Sequence, residues 1–144
     1  MTLVQLVYSS RPAQAPASRD LMQILDAART RNAATGTTGL LCYTGALFLQ
    51  VLEGNRDAVC ETFYRIQRDE RHTHVRLLAY HYPVERTFAE WAMGYAGTGG
   101  PGSDLGSQHV AQGMPERLGD DAETTTAFLR NLARTLSADT DPRS

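Results

Sequence analysis

One primary amide lies in the middle of an apolar, strand-like segment. Gln50 interrupts residues 47–52, whose other members are leucine, phenylalanine and valine. Each unmet donor or acceptor of a buried amide costs about 1–3 kcal/mol, so a polar group must meet Gln50 inside the core. That group is either the protein's own backbone, which is the ordinary arrangement, or the edge of a bound ligand.

Tyr8 and Asn32 could supply further hydrogen bonds to such a ligand. Tyr8 ends the first predicted strand, and we expect the strand after the first helix to pair with that strand, which would let the Tyr8 hydroxyl reach Gln50. A tyrosine beside a glutamine suits a planar heteroaromatic ligand whose edge carries donors and acceptors. The ordinary alternatives are a core tyrosine with its hydroxyl in water and an Asn32 amide that caps the first helix.

A short charged segment follows the second predicted helix. Asp69, Arg71 and His72 could bind a phosphate, stack on a ring, or simply form a solvated loop. His72, His74 and His81 have no carboxylate or thiol at a recognised ligand spacing, so we predict no metal site. The sequence lacks the common hydrolase, nucleotide-loop and zinc-protease motifs, which leaves an enzyme unsupported.

Local patterns predict the elements that would position these residues. Residues 3–8 alternate as a strand, and the proline-containing residues 9–17 end it. Ser18 is the predicted N-cap of a helix that runs to about Arg31. The next predicted elements, in chain order, are hairpin strands at 39–43 and 46–52, a helix from an Asn55 cap to about Arg68, and a strand at 75–82.

A fifth short strand is predicted around residues 91–94, where Trp91 and Met93 alternate and could serve ordinary sheet packing. The order is β-α-β-β-α-β plus one strand, an α+β ferredoxin-like arrangement with both helices on one sheet face. The third strand is apolar on both sides and needs a cover on its other face. We therefore predict a domain at 1–96, a linker rich in Gly, Pro and Ser at 97–120, a C-terminal helix packed on the sheet at 121–137, and a flexible tail at 138–144.

The amino-acid composition argues against several classes of function. The chain has 144 residues, 42% of them hydrophobic, and a net charge of −2, which suits one domain and argues against a nucleic-acid partner. All 14 basic residues are arginine, which excludes lysine Schiff-base chemistry. No signal peptide or membrane-spanning stretch is predicted, and Cys42 and Cys60 are expected to be buried free thiols, so we predict a cytoplasmic protein.

Taken together, these residues resemble the BLUF family, the sensors of blue light using FAD. The resemblance spans residues 3–95, in order and at family-like spacing. Its pieces are Tyr8, Arg31-Asn32 before Thr35-Gly36-Thr37-Thr38-Gly39-Leu40-Leu41, then Phe48-Leu49-Gln50-Val51-Leu52-Glu53-Gly54, Asp69-Glu70-Arg71-His72, and Arg86-Thr87-Phe88-Ala89-Glu90-Trp91-Ala92-Met93-Gly94.

The resemblance implies a role for each candidate site residue. Tyr8 would be the photochemical electron and proton donor, Gln50 the amide that joins its hydroxyl to the flavin, and Asn32 a donor to the flavin carbonyl edge. Trp91 and Met93 would be switch positions beside Gln50. The other cofactor-binding residues implied are Ile24 on the ring, Arg71 and His72 along the ring and ribityl side with Asp69 nearby, Arg65 on the phosphate side, and Arg31, Phe48 and Leu52, to which no part of the flavin is assigned.

The function implied is a blue-light photoreceptor that binds FAD non-covalently and signals when light rearranges the hydrogen bonds around Tyr8 and Gln50. Its output would pass by contact with an unidentified downstream protein or within a homo-oligomer, with no nucleic acid or membrane as partner. Two alternatives differ in class. One is a non-photoactive ligand- or RNA-binding module on a ferredoxin-like fold, and the other is an enzyme on that scaffold.

Overall fold

The computed structural model describes residues 2–89, 91–97 and 117–140, and the side chains of its last helix up to Leu136. Most of the predicted linker (98–116) and the end of the predicted tail (141–144) lie outside the described residues. The described elements are β1 (Leu3–Pro12), α1 (Ser18–Thr35), β2 (Thr38–Tyr43), β3 (Phe48–Asn55), α2 (Arg56–Gln67), β4 (His72–His81), β5 (Gly94–Gly97) and α3 (Ala122–Thr140).

The five strands form one sheet in the order β4-β1-β3-β2-β5. All neighbours are antiparallel except β2 and β5, which are parallel. The expected pairing of β1 with the strand after α1 is therefore wrong, because β3 lies between them. This arrangement puts the doubly apolar β3 at the centre of the sheet and places Tyr8 directly opposite Gln50.

Strands β1 and β4 are longer than the sequence predicts. The segment after Tyr8 does not end β1, since Arg11 pairs with Thr73 and Pro12 with His72. Proline is tolerated there because the pairing of β1 with β3 ends at Ser10, so Pro12 has a strand neighbour on one side only. The longer ladder brings His72 to the sheet, whereas the alternation of side chains alone would begin β4 three residues later.

Helix α1 continues one turn past the predicted end at Arg31. It stops at Gly36, whose φ of 73° is the left-handed conformation that glycine adopts without a Cβ clash, and whose N–H bonds to the Asn32 carbonyl. Its N-cap is Ala17 and not Ser18, with the Ala17 N–H donating to the Asp20 carboxylate at 2.9 Å. Asn32 is thus an interior, buried helix residue and not the cap.

Strand β5 begins at Gly94, so Trp91 and Met93 precede it and do not alternate along it. The later start of β5 follows from its pairing with β2. In this pairing, Leu40 lies opposite Gly94 and Tyr43 opposite Gly97. Backbone contact there is close: a Cβ on Gly97 would lie 2.1 Å from the Tyr43 carbonyl oxygen. This close approach requires glycine at position 97. Strand β5 therefore lies later in the chain than the positions of Trp91 and Met93 predict.

Two apolar clusters lie on opposite faces of the sheet. Helices α1 and α2 cover the face that carries Leu6 and Tyr8, and α3 covers the face that carries Val7, Leu49 and Val51. The predicted ferredoxin-like α+β fold, with two helices on one face and the C-terminal helix on the other, is confirmed. Within the described ranges, no helix is both long and apolar enough to cross a membrane.

Candidate functional site

A cavity of about 400 Å³ opens between the two helices and the sheet face beneath them. This volume lies within the range of small-molecule sites. Helix α1 supplies one wall, α2 the other, and β1 and β3 the floor. The lining residues are Tyr8, Ile24, Ala27, Ala28, Arg31, Asn32, Leu41, Phe48, Gln50, Thr62, Arg65, Ile66, Arg68, Asp69, Arg71 and His72.

Tyr8 and Gln50 form a hydrogen-bonded pair on the floor of the cavity. Their strands hold them in register, and the Tyr8 hydroxyl donates to Gln50 Oε1. Only 1% of Tyr8 and 5% of Gln50 is exposed. Burial, with a smaller contribution from the charge of Asp69, raises the pKa of the Tyr8 phenol well above its usual value. Tyr8 is therefore a neutral donor at every physiological pH.

The other end of the Gln50 amide meets a weak acceptor. Gln50 Nε2 donates to the Met93 sulfur at 3.3 Å, and Met93 is fully buried. A thioether is a weak hydrogen-bond acceptor, so breaking this hydrogen bond costs little free energy. Trp91 lies elsewhere: it is half-buried and packs against the cluster under α3.

Asn32 lines the cavity and also holds the chain beside it. Its Nδ2 donates to the carbonyl oxygen of Ala92 at 2.7 Å. One of its two amide protons is thereby committed to the segment that precedes β5. The sequence predicts a donor at this position but does not reveal this partner, which lies sixty residues away.

Arginine side chains surround the mouth of the cavity. Arg71 is paired with Asp69 at 2.6 Å, and the hydrogen bonds from Arg71 lower the pKa of the Asp69 carboxyl. Partial burial and then the like charges of Arg65 and Arg71 lower the pKa of Arg31. With Arg68 also in the lining, the mouth carries four cations against one carboxylate. An anionic group would relieve this repulsion.

His72 lines the cavity from the first position of β4. Its Nδ1 is 2.8 Å from the Ser10 hydroxyl, and its ring packs at 5.1 Å from the Phe48 ring. Burial lowers the pKa of His72, so the ring is neutral at neutral pH. Of His72, His74 and His81, it alone lines this cavity. Among the described residues, no three His, Cys, Asp or Glu side chains are grouped to hold a metal ion.

Most of the site residues predicted from the sequence meet at this cavity. Leu52 does not: it is fully buried in the cluster beneath α1 and α2, two residues beyond Gln50 on the same face. Trp91 and Met93 do not line it either, although Met93 touches Gln50. Cys60, expected to be buried, is exposed on α2. The lining residues that were not predicted from the sequence are Ala27, Ala28, Leu41, Thr62, Ile66 and Arg68. Two of them, Thr62 and Ile66, lie four positions apart on α2, which is the spacing of one helix face.

The sequence is similar to proteins whose names describe activation by light. The chain is 38% identical over 93 residues to the photoactivated adenylate cyclase subunit beta of Euglena gracilis, a match that covers 64% of this chain and 11% of that protein. The matched part thus spans about a tenth of that relative's length.

Solved structures extend the likeness to the fold. The dark-state structure of BlrB, a BLUF protein, matches with a TM-score of 0.76 and 30% identity over 93% of this chain and 97% of that one. BlrP1 of Klebsiella pneumoniae, solved with FMN and cyclic diGMP, matches with a TM-score of 0.62 and 34% identity over 66% of this chain and 26% of that one. The family described as sensors of blue-light using FAD matches residues 3–94, which is more than half of the sequence, and the chain therefore belongs to the BLUF family.

Proposed function

We propose that this chain senses blue light through non-covalently bound FAD, the cofactor that its family is described as using. We propose that in this chain Tyr8 and Gln50 are the light-responsive pair, and that Met93 is the first side chain to register their rearrangement. The observation that carries the proposal is the continuous contact from the Tyr8 hydroxyl through the Gln50 amide to the Met93 sulfur.

The cavity suits an isoalloxazine ring in shape and polarity. Ile24 and Ile66 provide apolar walls, Phe48 is an apolar part of the floor, and Asn32 and Gln50 provide amides. Such a combination of apolar walls with a few polar groups is typical of cofactor sites. Bound FAD would supply light absorption and an electron acceptor.

The two ends of the Gln50 amide are held with different strength. Its carbonyl accepts from Tyr8, a strong contact, while its amide N–H faces a thioether, a weak one. If the amide rotates, a carbonyl oxygen replaces the N–H beside Met93, and the contact with the sulfur is lost. The position of Met93 thereby depends on which way the Gln50 amide faces. A change of a few kcal/mol in that contact is enough to shift a two-state population.

The cationic mouth suits the phosphates of the cofactor. Arg71 is paired with Asp69 at 2.6 Å, and Arg65 makes a longer, exposed ion pair with Glu61 at 3.5 Å while its charge also acts on Arg31. A second hollow, of about 400 Å³, continues from the cavity past Arg31, Arg65 and Thr62. We therefore assign Arg31 and Arg65 to the phosphate side and Arg71 with Asp69 and His72 to the ring and ribityl side.

The output of the sensor is proposed to be a protein contact. In the Euglena relative, the matching segment is part of a protein named as an adenylate cyclase. We propose that this chain is itself not an enzyme, and that β5 and α3 present the signal to a downstream protein or to a second copy. The homo-oligomer and the cytoplasmic location stay predictions from the sequence.

A visible absorption spectrum before and after blue illumination tests the proposal. We expect flavin bands that shift reversibly to the red and recover in the dark. Tyr8→Phe and Gln50→Leu should keep the bound flavin and lose the shift, because each removes one end of the hydrogen-bonded pair. Tyr43→Phe is the matched control, since Tyr43 is a buried tyrosine that does not line the cavity. A normal red shift in Tyr8→Phe would show that another residue is the donor.

The RNA-binding alternative has no support from the sheet. An RNA platform needs aromatic side chains on an open sheet face. Here α1 and α2 cover one face, and α3 packs Leu129 and Leu132 onto the other. The family relationship supports light sensing and gives no support to this alternative.

A further inference from the structure

Three consecutive carbonyl groups before β5 are each held by a different donor. The Trp91 carbonyl accepts from the Gly39 N–H at 3.1 Å, and the Ala92 carbonyl accepts from Asn32 Nδ2 at 2.7 Å. The Met93 carbonyl accepts from Arg29 Nε at 2.9 Å. Two of the three donors are side chains of α1. We call residues 91–93, held in this way, the clamped segment.

The clamped segment depends on these bonds because the strand ladder does not reach it. Ladder pairing between β2 and β5 starts only at Gly94. Backbone outside a ladder needs other partners if it is to keep one position. Side chains of α1 supply them here, so the helix and not the sheet determines where residues 92 and 93 lie.

The two hydrogen bonds made by Met93 differ in strength, although its side chain is also packed in the core. Its sulfur accepts from Gln50 Nε2 at 3.3 Å, and a thioether is a weak acceptor. Arg29, by contrast, donates from a charged guanidinium, and such hydrogen bonds are roughly twice as strong as neutral ones. The strong hydrogen bond, from Arg29, thus holds the backbone of Met93. The weak hydrogen bond, from Gln50, is made to the side chain of the same residue.

We propose that Arg29 is a positioning residue of the light sensor: it fixes the backbone of Met93 and thereby keeps the thioether against Gln50 in the dark. Arg29 is half-buried and does not line the flavin cavity. It acts on the response through Met93. Asn32 assists, and because Asn32 also lines the cavity, it joins the clamped segment to the cofactor site.

Two substitutions separate the hydrogen bond from the bulk of the side chain. Arg29→Gln places an amide nitrogen the same number of bonds from Cα as Nε, so it can still donate to the Met93 carbonyl. Arg29→Met has similar length and an apolar atom at that position. Arg19→Met is the control, because Arg19 is an exposed arginine on the same helix.

The first measurement is hydrogen exchange on peptides containing residues 91–93, in the dark and without flavin. We expect exchange about tenfold faster in Arg29→Met, the effect of losing one charge-assisted hydrogen bond. Arg19→Met should match the original protein, and Arg29→Gln, which can keep a neutral hydrogen bond, should exchange more slowly than Arg29→Met. Equal exchange in Arg29→Met and the original protein would overturn the proposal, as would equal acceleration in Arg29→Met and Arg29→Gln.

The second measurement uses Trp91, the single tryptophan of the chain. In the FAD-loaded protein, we expect blue light to change the fluorescence of Trp91. Arg29→Met should lose this change and keep the flavin red shift, which depends on Gln50. Arg29→Gln should keep both. A fluorescence change that persists unaltered in Arg29→Met would contradict the positioning role.

This inference rests on the proposed function, but the two can fail separately. If the original protein shows no red shift, the assigned photochemistry fails, while the exchange result without flavin still decides whether Arg29 holds the clamped segment. If the red shift is present and exchange is unchanged in Arg29→Met, the proposed function stands and the role of Arg29 is wrong.

Discussion

The two faces of the sheet are built from the same strands, but their polar side chains differ in how completely they are hydrogen-bonded within the chain. The cavity face carries Tyr8 and Gln50, and the opposite face carries their chain neighbours Ser9 and Leu49. On the cavity face, a Gln50 N–H meets only a thioether among the described residues, and arginines crowd the mouth. We call the opposite face, which packs against α3, the α3 face.

Polar groups on the α3 face are fully engaged within the chain. The Ser9 hydroxyl donates to the Gly119 carbonyl at 2.8 Å. The buried Glu53 carboxylate accepts from Gln5 Nε2 at 2.8 Å and from the N–H groups of Thr87 and Phe88 at 2.9 and 2.6 Å. Polar groups with weak hydrogen-bond partners beside a cavity therefore mark a binding face. Polar groups whose hydrogen bonds are all made within the chain mark a structural face.

Filling the cavity should abolish binding and leave the fold intact. Ala28 lines the cavity on α1, and in Ala28→Trp the indole would occupy the space of the ring. We expect FAD to be absent from the purified protein, as measured by its visible spectrum, with the far-UV circular dichroism unchanged. Ala33→Trp, at an exposed position of the same helix, is the control and should bind FAD normally. Normal binding in Ala28→Trp would mean that the flavin binds elsewhere.

Truncating the α3 face should cost stability and spare the site. Leu129 is fully buried under α3, so Leu129→Ala should lower the free energy of unfolding by about 2–5 kcal/mol. Urea unfolding measures this loss, and the flavin spectrum of the folded protein should stay the same. Arg130→Ala, its exposed neighbour, should change little. A loss of flavin at temperatures where Leu129→Ala is folded would contradict the separation of the two faces.

Glu53→Gln tests the saturated polar cluster on the α3 face. One carboxylate oxygen becomes an NH2 group, which must then face the N–H of Thr87 or of Phe88. An unpaired buried N–H should lower the free energy of unfolding by about 1–3 kcal/mol. Glu61→Gln on α2, where the carboxylate is 74% exposed, is the control. If both variants are equally stable, Glu53 is not the anchor that its contacts indicate.

The smallest effect is expected at the mouth of the cavity. Arg65 is exposed, so Arg65→Gln should weaken FAD binding by only about two- to fivefold, the effect of one solvated ion pair. Riboflavin, which has no phosphate, should bind equally to both proteins in fluorescence titrations. Arg130→Gln, on α3, is the charge-matched control. If Arg65→Gln weakens the binding of FAD and of riboflavin equally, Arg65 does not contact the phosphates.

Much of the fold was predictable because local patterns reveal which face a residue occupies. Alternation along β1 put Tyr8 on one side of the sheet, and the amide within an apolar strand singled out Gln50. The Asn55 cap of α2 was also predicted correctly, since its side chain accepts from the Asp57 N–H. Element ends were less accurate, because the end of α1 and the length of β4 depend on Gly36 and on pairing with Arg11 and Pro12.

The sequence by itself determined the alternation of the strands, the helical stripes, the identity of the polar pair and the resemblance to a light-sensor family. Only the tertiary structure decided that β3 lies beside β1, that β5 begins after Met93, and that Arg29 and Asn32 hold the segment before it. The physical reason is that periodicity is a local property, whereas a hydrogen bond between residues sixty positions apart forms only when the packed elements bring them together.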